Sequence, residues 1–249
     1  MSLEYAPRGL LGVLTPQANT TVEPEMALLL PPGMAMLNAR MCSDKDSMIA
    51  RLLDYMDGLE ASVAQFANAP VGAFAFACTG ASYFAGPANE DAKVAAIEAA
   101  RQKPFITAGR AVCDAFRVLG AQRIGLVSPY PPDLTEAAVG YFSARGLTIE
   151  RVAGAALQTA AFHPIYAMAA DTAEAALHGI DTTGLDAIVM LGTGMPTLRP
   201  ILGWKGGTPV VSCMLSLAWR SVCAIEGRAP DRTSLEAYMR GDGWGARLG

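Results

Sequence analysis

Cys78 stands in the run Ala77-Cys78-Thr79-Gly80-Ala81-Ser82, where an apolar strand pattern gives way to a helix start. A thiol there has backbone N–H groups and a helix dipole beside it. Such surroundings lower a cysteine pKa from about 8.5 towards neutrality and make thiolate available. The other four cysteines read as small buried hydrophobes. Cys113, Cys213 and Cys223 fall within or at the start of helices, and Cys42 follows a strand without the Thr-Gly continuation. A second loop, Leu191-Gly192-Thr193-Gly194-Met195-Pro196-Thr197, repeats the Thr-Gly pair with Gly192 where Cys78 stands. Its N–H groups could form a nest for a carboxylate, or the segment could be a plain strand-to-helix turn.

Two further turns add side chains. Asn19, Thr20 and Thr21 follow the first strand, with Glu23-Pro24-Glu25 opening the next helix. Capping by Thr20 or Thr21 explains the threonines but not Asn19, which is expected to touch a ligand from its loop. Tyr130, in Ser128-Pro129-Tyr130, occupies the corresponding turn later in the chain, either as a packed aromatic or as a hydroxyl donor to an oxyanion; the donor role is preferred. His163, before Pro164 at a helix start, could line the cleft, and His178 reads as a surface residue complementing a helix end.

These residues need strands and helices to hold them. Strand patterns fall at Leu10–Leu14, Ala35–Arg40, Val71–Ala77, Phe105–Thr107, Ile124–Val127, Thr148–Val152, Ala187–Leu191 and Val210–Val211. Between the second and third, Met48, Leu52, Leu53, Met56, Leu59, Val63 and Phe66 keep helical spacing on one face. Pro87 after Gly86 suits the first turn of another helix, and Gly120 a helix stop. Strands separated by such helices imply an α/β protein with parallel sheets covered on both faces.

The pattern occurs twice. Arg8–Met26 lines up with Gln122–Val139, Gly72–Gly86 with Asp186–Pro200, and Lys103–Phe116 with Thr208–Ser221. The expected architecture is two similar halves about a pseudo-twofold axis, with the ligand loops beyond the strand C-termini meeting between them. The expected division is 1–110 for the first half, closed by the C-terminal helix, 111–228 for the second, and a tail over 229–249, the halves interleaved as one unit.

Composition narrows the partners. Apolar residues make up 52% of the 249 and charged ones 17%, so the chain can bury enough surface to order itself. No apolar run reaches the ~20 residues a bilayer demands, and no basic, apolar leader opens the chain; a soluble cytoplasmic protein is expected. Net charge is −4 with no basic stripe, which speaks against nucleic acid. Five cysteines without a C-x-x-C pair and only two histidines give no metal-site pattern, so no metal is expected. Association into a homo-oligomer is left open.

The stretches GVLTPQANTTVEPEM, FACTGASYFAG, VSPYPPDL and VMLGTGMPTL together resemble the Asp/Glu racemase superfamily, in its branch of maleate cis-trans isomerases and arylmalonate decarboxylases. The similarity runs from about Gly9 to Glu226. It implies two facing halves, a small carboxylate or dicarboxylate substrate, and no cofactor. By that resemblance Cys78 matches the first of two flanking cysteines, Asn19 and Tyr130 match carboxylate-binding positions, and Thr79, Gly80, Gly192 and Thr193 match anion-binding loops. The second cysteine is Gly192 here, and the asparagine that the isomerases carry before His163 is missing.

A lone thiol cannot readily both remove and return a proton, but it can protonate an enediolate left when a malonate-type diacid loses carbon dioxide. The leading expectation is therefore a decarboxylase with Cys78 as proton donor. The alternatives are a maleate-type isomerase with Cys78 as nucleophile and a carboxylate-binding protein without turnover.

Overall fold

Each expected strand run becomes a strand, and the strands gather into two parallel sheets. The structure is a computed structural model describing residues 3–155 and 164–248. The first sheet holds β1 (Gly9–Pro16), β2 (Met34–Met41), β3 (Ala73–Phe76) and β4 (Phe105–Thr107) in the order β2-β1-β3-β4. The second holds β5 (Arg123–Ser128), β6 (Thr148–Gly154), β7 (Ala187–Met190) and β8 (Val210–Ser212) in the order β6-β5-β7-β8. Every adjacent pair is parallel. The repeated order is the repeated sequence made visible, with β1, β3 and β4 answering β5, β7 and β8.

Sheets buried on both faces read as unbroken apolar runs rather than alternating ones. β3 and β7 are buried at every position, whereas the edge strand β6 alternates exposed and half-buried residues. The covering helices are α1 (Val22–Leu29), α2 (Met48–Asp57), α3 (Leu59–Ala64), α4 (Thr79–Arg101), α5 (Ala108–Leu119), α6 (Pro132–Ala144), α7 (Ala170–His178), α8 (Leu198–Gly203), α9 (Cys213–Ile225) and α10 (Arg232–Met239). Thr107 and Ser212 cap α5 and α9 alike, accepting from the N–H groups of Arg110 (3.3 Å) and Leu215 (3.1 Å). Among the described residues no helix is long and apolar enough to cross a membrane.

The single helix expected over Met48–Phe66 is two. The chain leaves helical geometry at Gly58 (φ −83°, ψ 8°), where missing side-chain support makes a helix easiest to interrupt. α4 also bends, at Gly86 (φ +76°, ψ 160°), and restarts on Pro87 as the proline signal implied.

Helix packing is one of the ties between the halves. Glu90 on α4 is fully buried and accepts from the Tyr141 hydroxyl (2.5 Å) and from Arg145 (2.9 Å) on α6, while Asp91 pairs with the same guanidinium. That hydrogen bond holds the Asp91 carboxyl below its usual range. α9, from the later part of the sequence, packs on α1 and α5 and against β1, β3 and β4 of the first sheet. The fit is close: a Cβ on Gly72 would lie 3.3 Å from Ile225.

Candidate active site

The two strand-end turns of each half meet between the sheets around one cavity of about 50 Å³. One water needs roughly 10–15 Å³ by the same kind of measure, so the space suits a small ligand. Cys78 and Gly192 each lie two residues past the end of their strand, as the duplication requires. Cys78, Thr79, Gly80, Tyr130 and Thr193 line the cavity. Asn19 and Gly192 lie behind its wall rather than in it, and His163 falls outside the described residues.

Cys78 is the N-cap residue of α4, 4% exposed. The Ala81 N–H favours its thiolate, as a helix start should, but desolvation is the larger effect and pushes the thiol up to about 12. The lowered pKa expected from the loop position is thus corrected: burial outweighs the dipole, and the group is a neutral thiol.

Thr79 and Tyr130 reach each other across the halves, with Oγ1 and the phenolic oxygen 2.8 Å apart. Burial raises the Tyr130 pKa well above its ordinary value, so the hydroxyl keeps its proton as a donor. The turn bearing Tyr130 is fixed by Ser128, whose hydroxyl accepts from the Tyr130 N–H (3.3 Å) and pairs with Thr135 (2.7 Å).

Thr193 has a different task from the one its position suggested. Its hydroxyl donates to the carbonyl of Ala77 (2.8 Å) and accepts from the Asn19 amide (3.4 Å), pinning the second turn to the residue before Cys78. Asn19 is 1% exposed, and its carbonyl accepts from the N–H groups of Thr21 (2.8 Å) and Val22 (3.1 Å). Asn19 therefore caps α1, which corrects the capping expected from the threonines. Thr20 donates instead to Tyr166 O (2.7 Å) and Thr21 to Gly194 O (2.9 Å). Buried Glu25 completes the set by accepting from the N–H of Thr197 (2.7 Å). The NTTVEPE segment is a clasp on the other half.

Gly192 has φ +86°, and a Cβ there would lie 2.8 Å from Ile165 and 3.0 Å from the Tyr130 oxygen. Glycine is needed for both the backbone and the space. Gly80 is similarly confined: a Cβ on it would meet Leu52 at 3.0 Å and Leu134 at 3.5 Å.

The rest of the described wall is mostly apolar: Met48 and Leu52 from α2, Leu134 from α6, Ile165 and the prolines Pro16, Pro129 and Pro131, with the phenol Tyr166 and Gly194 beside them. No lysine, arginine or histidine is among the described lining residues. Helical periodicity places Met48 and Leu52 on a core face, and nothing local marks that face as a site wall. Met195, Tyr83 and Leu191 are buried away from the cavity. His178 is exposed at the end of α7 as expected, its ring stacked on Trp204 at 5.5 Å. Among the described residues no three His, Cys, Asp or Glu side chains group as a metal site.

Comparison with known proteins agrees with this fold. A family model described as arylmalonate decarboxylase matches residues 11–235, both sheets included. The chain belongs to the arylmalonate decarboxylase family. The maleate isomerase of Geobacillus stearothermophilus is 27% identical over 151 residues, which cover 56% of this chain and 60% of that one. Among solved structures, Nocardia farcinica maleate cis-trans isomerase, a cysteine-to-serine mutant with a covalently bound succinylcysteine intermediate, is 26% identical. Its TM-score is 0.77, over 88% of this chain and 93% of that one. A crystal structure of arylmalonate decarboxylase gives TM-score 0.69 at 20% identity over 91% and 96%, a likeness of fold. The two α/β halves are those of the family.

Proposed function

We propose that this protein decarboxylates a small malonate-type dicarboxylate, with Cys78 as the proton donor. One observation supports the reading: the hydroxyls of Thr79 and Tyr130 meet in a cavity whose described lining is otherwise mostly apolar and carries no charged side chain, and the thiol lining it is protonated. A dianion placed there has one carboxylate hydrogen-bonded and one facing hydrocarbon, where charge is costly. Loss of the second as neutral carbon dioxide removes that cost.

The electron pair of the broken C–C bond passes into the remaining carboxylate as an enediolate. Tyr130, Thr79 and the N–H groups of the two Thr-Gly turns stabilise the charge as it develops; one such donor is typically worth 10²–10³ in rate, about 3–4 kcal/mol. Cys78 gives its proton to the α-carbon, and water restores it. Asn19 acts on the site from behind, through Thr193, and Gly80 and Gly192 leave room for the loops to approach. The apolar wall sets the size of the substituent.

A second reading has its own support. The Geobacillus and Nocardia relatives are maleate isomerases, and the Nocardia structure holds a succinylcysteine. In that reading Cys78 adds as thiolate to the double bond, and burial is the barrier it must overcome.

The test is to offer methyl- and phenylmalonate and, separately, maleate. Decarboxylation predicts a monoacid product, one enantiomer, with a single solvent deuterium at the α-carbon in D₂O. Conversion of maleate to fumarate with no loss of carbon dioxide from either malonate would establish the isomerase instead.

A further inference from the structure

Tyr83 lies on α4 one turn after Thr79, and residues at that spacing share a helix face. The face grips Tyr130 twice. The Thr79 hydroxyl lies 2.8 Å from the phenolic oxygen, and the Tyr83 ring stands edge-on to the Tyr130 ring, with centroids 6.4 Å apart at 81°. Tyr83 is buried and is not among the described lining residues of the cavity. It also packs on the rings of Tyr141 (5.2 Å) and Phe142 (5.6 Å) on α6, and its hydroxyl lies 3.9 Å from the Cys213 sulfur. One ring of the first half thus touches both α6 and the Tyr130 turn of the second.

The duplication shows where the two halves differ. Tyr83 aligns with Thr197, which crosses to α1 by hydrogen bonds to Glu25. Tyr83 crosses to α6 by ring packing instead, and so bears on the Tyr130 ring as well. A hydrogen bond at the phenolic oxygen fixes its distance from Thr79 but leaves the ring free to pivot about that point. An edge-on neighbour removes the freedom. Such pairs favour centroid separations of about 4.5–7 Å and contribute about two- to tenfold to a conformational equilibrium beyond the area they bury. Cys78 caps the same helix, so one rigid element carries the proton donor to carbon and holds the donor to the oxyanion.

We propose that Tyr83 is a positioning residue whose ring holds the Tyr130 ring in place, so that the phenolic hydroxyl stays at Thr79 and at the cavity in fixed register with Cys78. This deepens the proposed function and, for its kinetic part, rests on it.

The experiment compares Tyr83→Phe, which keeps the ring, with Tyr83→Leu, which keeps apolar bulk alone. The leucine variant is expected to lose roughly tenfold in kcat with KM little changed, because Tyr130 acts on charge that develops during the reaction. The phenylalanine variant should recover most of that loss. In a Tyr130→Phe background the leucine change should add little. Equal kcat in the two variants, or full additivity with Tyr130→Phe, would overturn the proposal. Crystal structures of the ligand-free variants give a readout without turnover: the Tyr130 oxygen should stay within hydrogen-bond distance of Thr79 in Tyr83→Phe and leave it in Tyr83→Leu. If it stays in both or leaves in both, the proposal fails. If no diacid is turned over, the functional reading fails, and the structures still decide the role of Tyr83. Should leucine prevent folding, Tyr83→Met, whose flexible side chain fills irregular gaps, makes the same comparison.

Discussion

A thiol near 12 is a poor nucleophile at neutral pH yet a ready acid towards an enediolate, which is a far stronger base than a thiolate. Burial leaves Cys78 almost wholly protonated at pH 7. Alkylation of Cys78 by iodoacetamide should therefore be slow at neutral pH and rise about tenfold per pH unit, with the exposed Cys42 modified first. Peptide mapping of timed reactions measures this, and Cys78 reacting first at neutral pH would favour the nucleophile. Tyr130→Phe should lower kcat ~10²-fold with little change in melting temperature. Gly192→Ala should cost about 1–3 kcal/mol of stability through its positive φ, read from denaturant midpoints, and lower turnover by displacing the Tyr130 oxygen. Introducing a second thiol there, by Gly192→Cys, meets the same obstacle and should not create two-face proton exchange while Tyr130 stays in place. The sequence made Cys78, Thr79 and Tyr130 legible because turn chemistry is local. It hid the Cys78 pKa, which depends on how deeply the surrounding segments bury the thiol.

The clasp from the start of α1 works between elements. Glu25 leaves α1 to meet the first turn of α8 in the other half, and burial raises its carboxyl to about 7. The folded state therefore binds a proton more tightly than the unfolded chain does. This contribution to stability is fully present below the unfolded value near 4.5 and is lost as pH climbs through about 7. Its size is about 3 kcal/mol. Urea midpoints at about pH 5 and about pH 8 should differ in that sense, and Glu25→Gln should flatten the slope. The strands were legible because short apolar runs bounded by turn residues leave little else to form. Helix breaks were harder: Gly86 is followed by a proline that announces it, whereas Gly58 interrupts a face whose hydrophobic spacing continues without a gap. The clasp was unreadable for another reason, since capping by Thr20 or Thr21 satisfies the same local pattern as bonds to Tyr166 and Gly194.

Repetition made the doubled architecture visible in the sequence, whereas which strands each helix covers depends on packing between segments far apart in the chain. α9 follows the last strand yet packs against β1, β3 and β4. A chain ending at Ser212 retains all eight strands and leaves that face of the first sheet bare. It should be insoluble, or bind a hydrophobic dye where the full chain does not, as centrifugation and fluorescence would report. The same arrangement orders events during synthesis. Cys78 and its turn leave the ribosome long before the helix that closes the first sheet has been translated, so each new molecule passes through a period with its first sheet uncovered. Chaperone occupancy should be greatest in that interval and end once Ile225 has emerged.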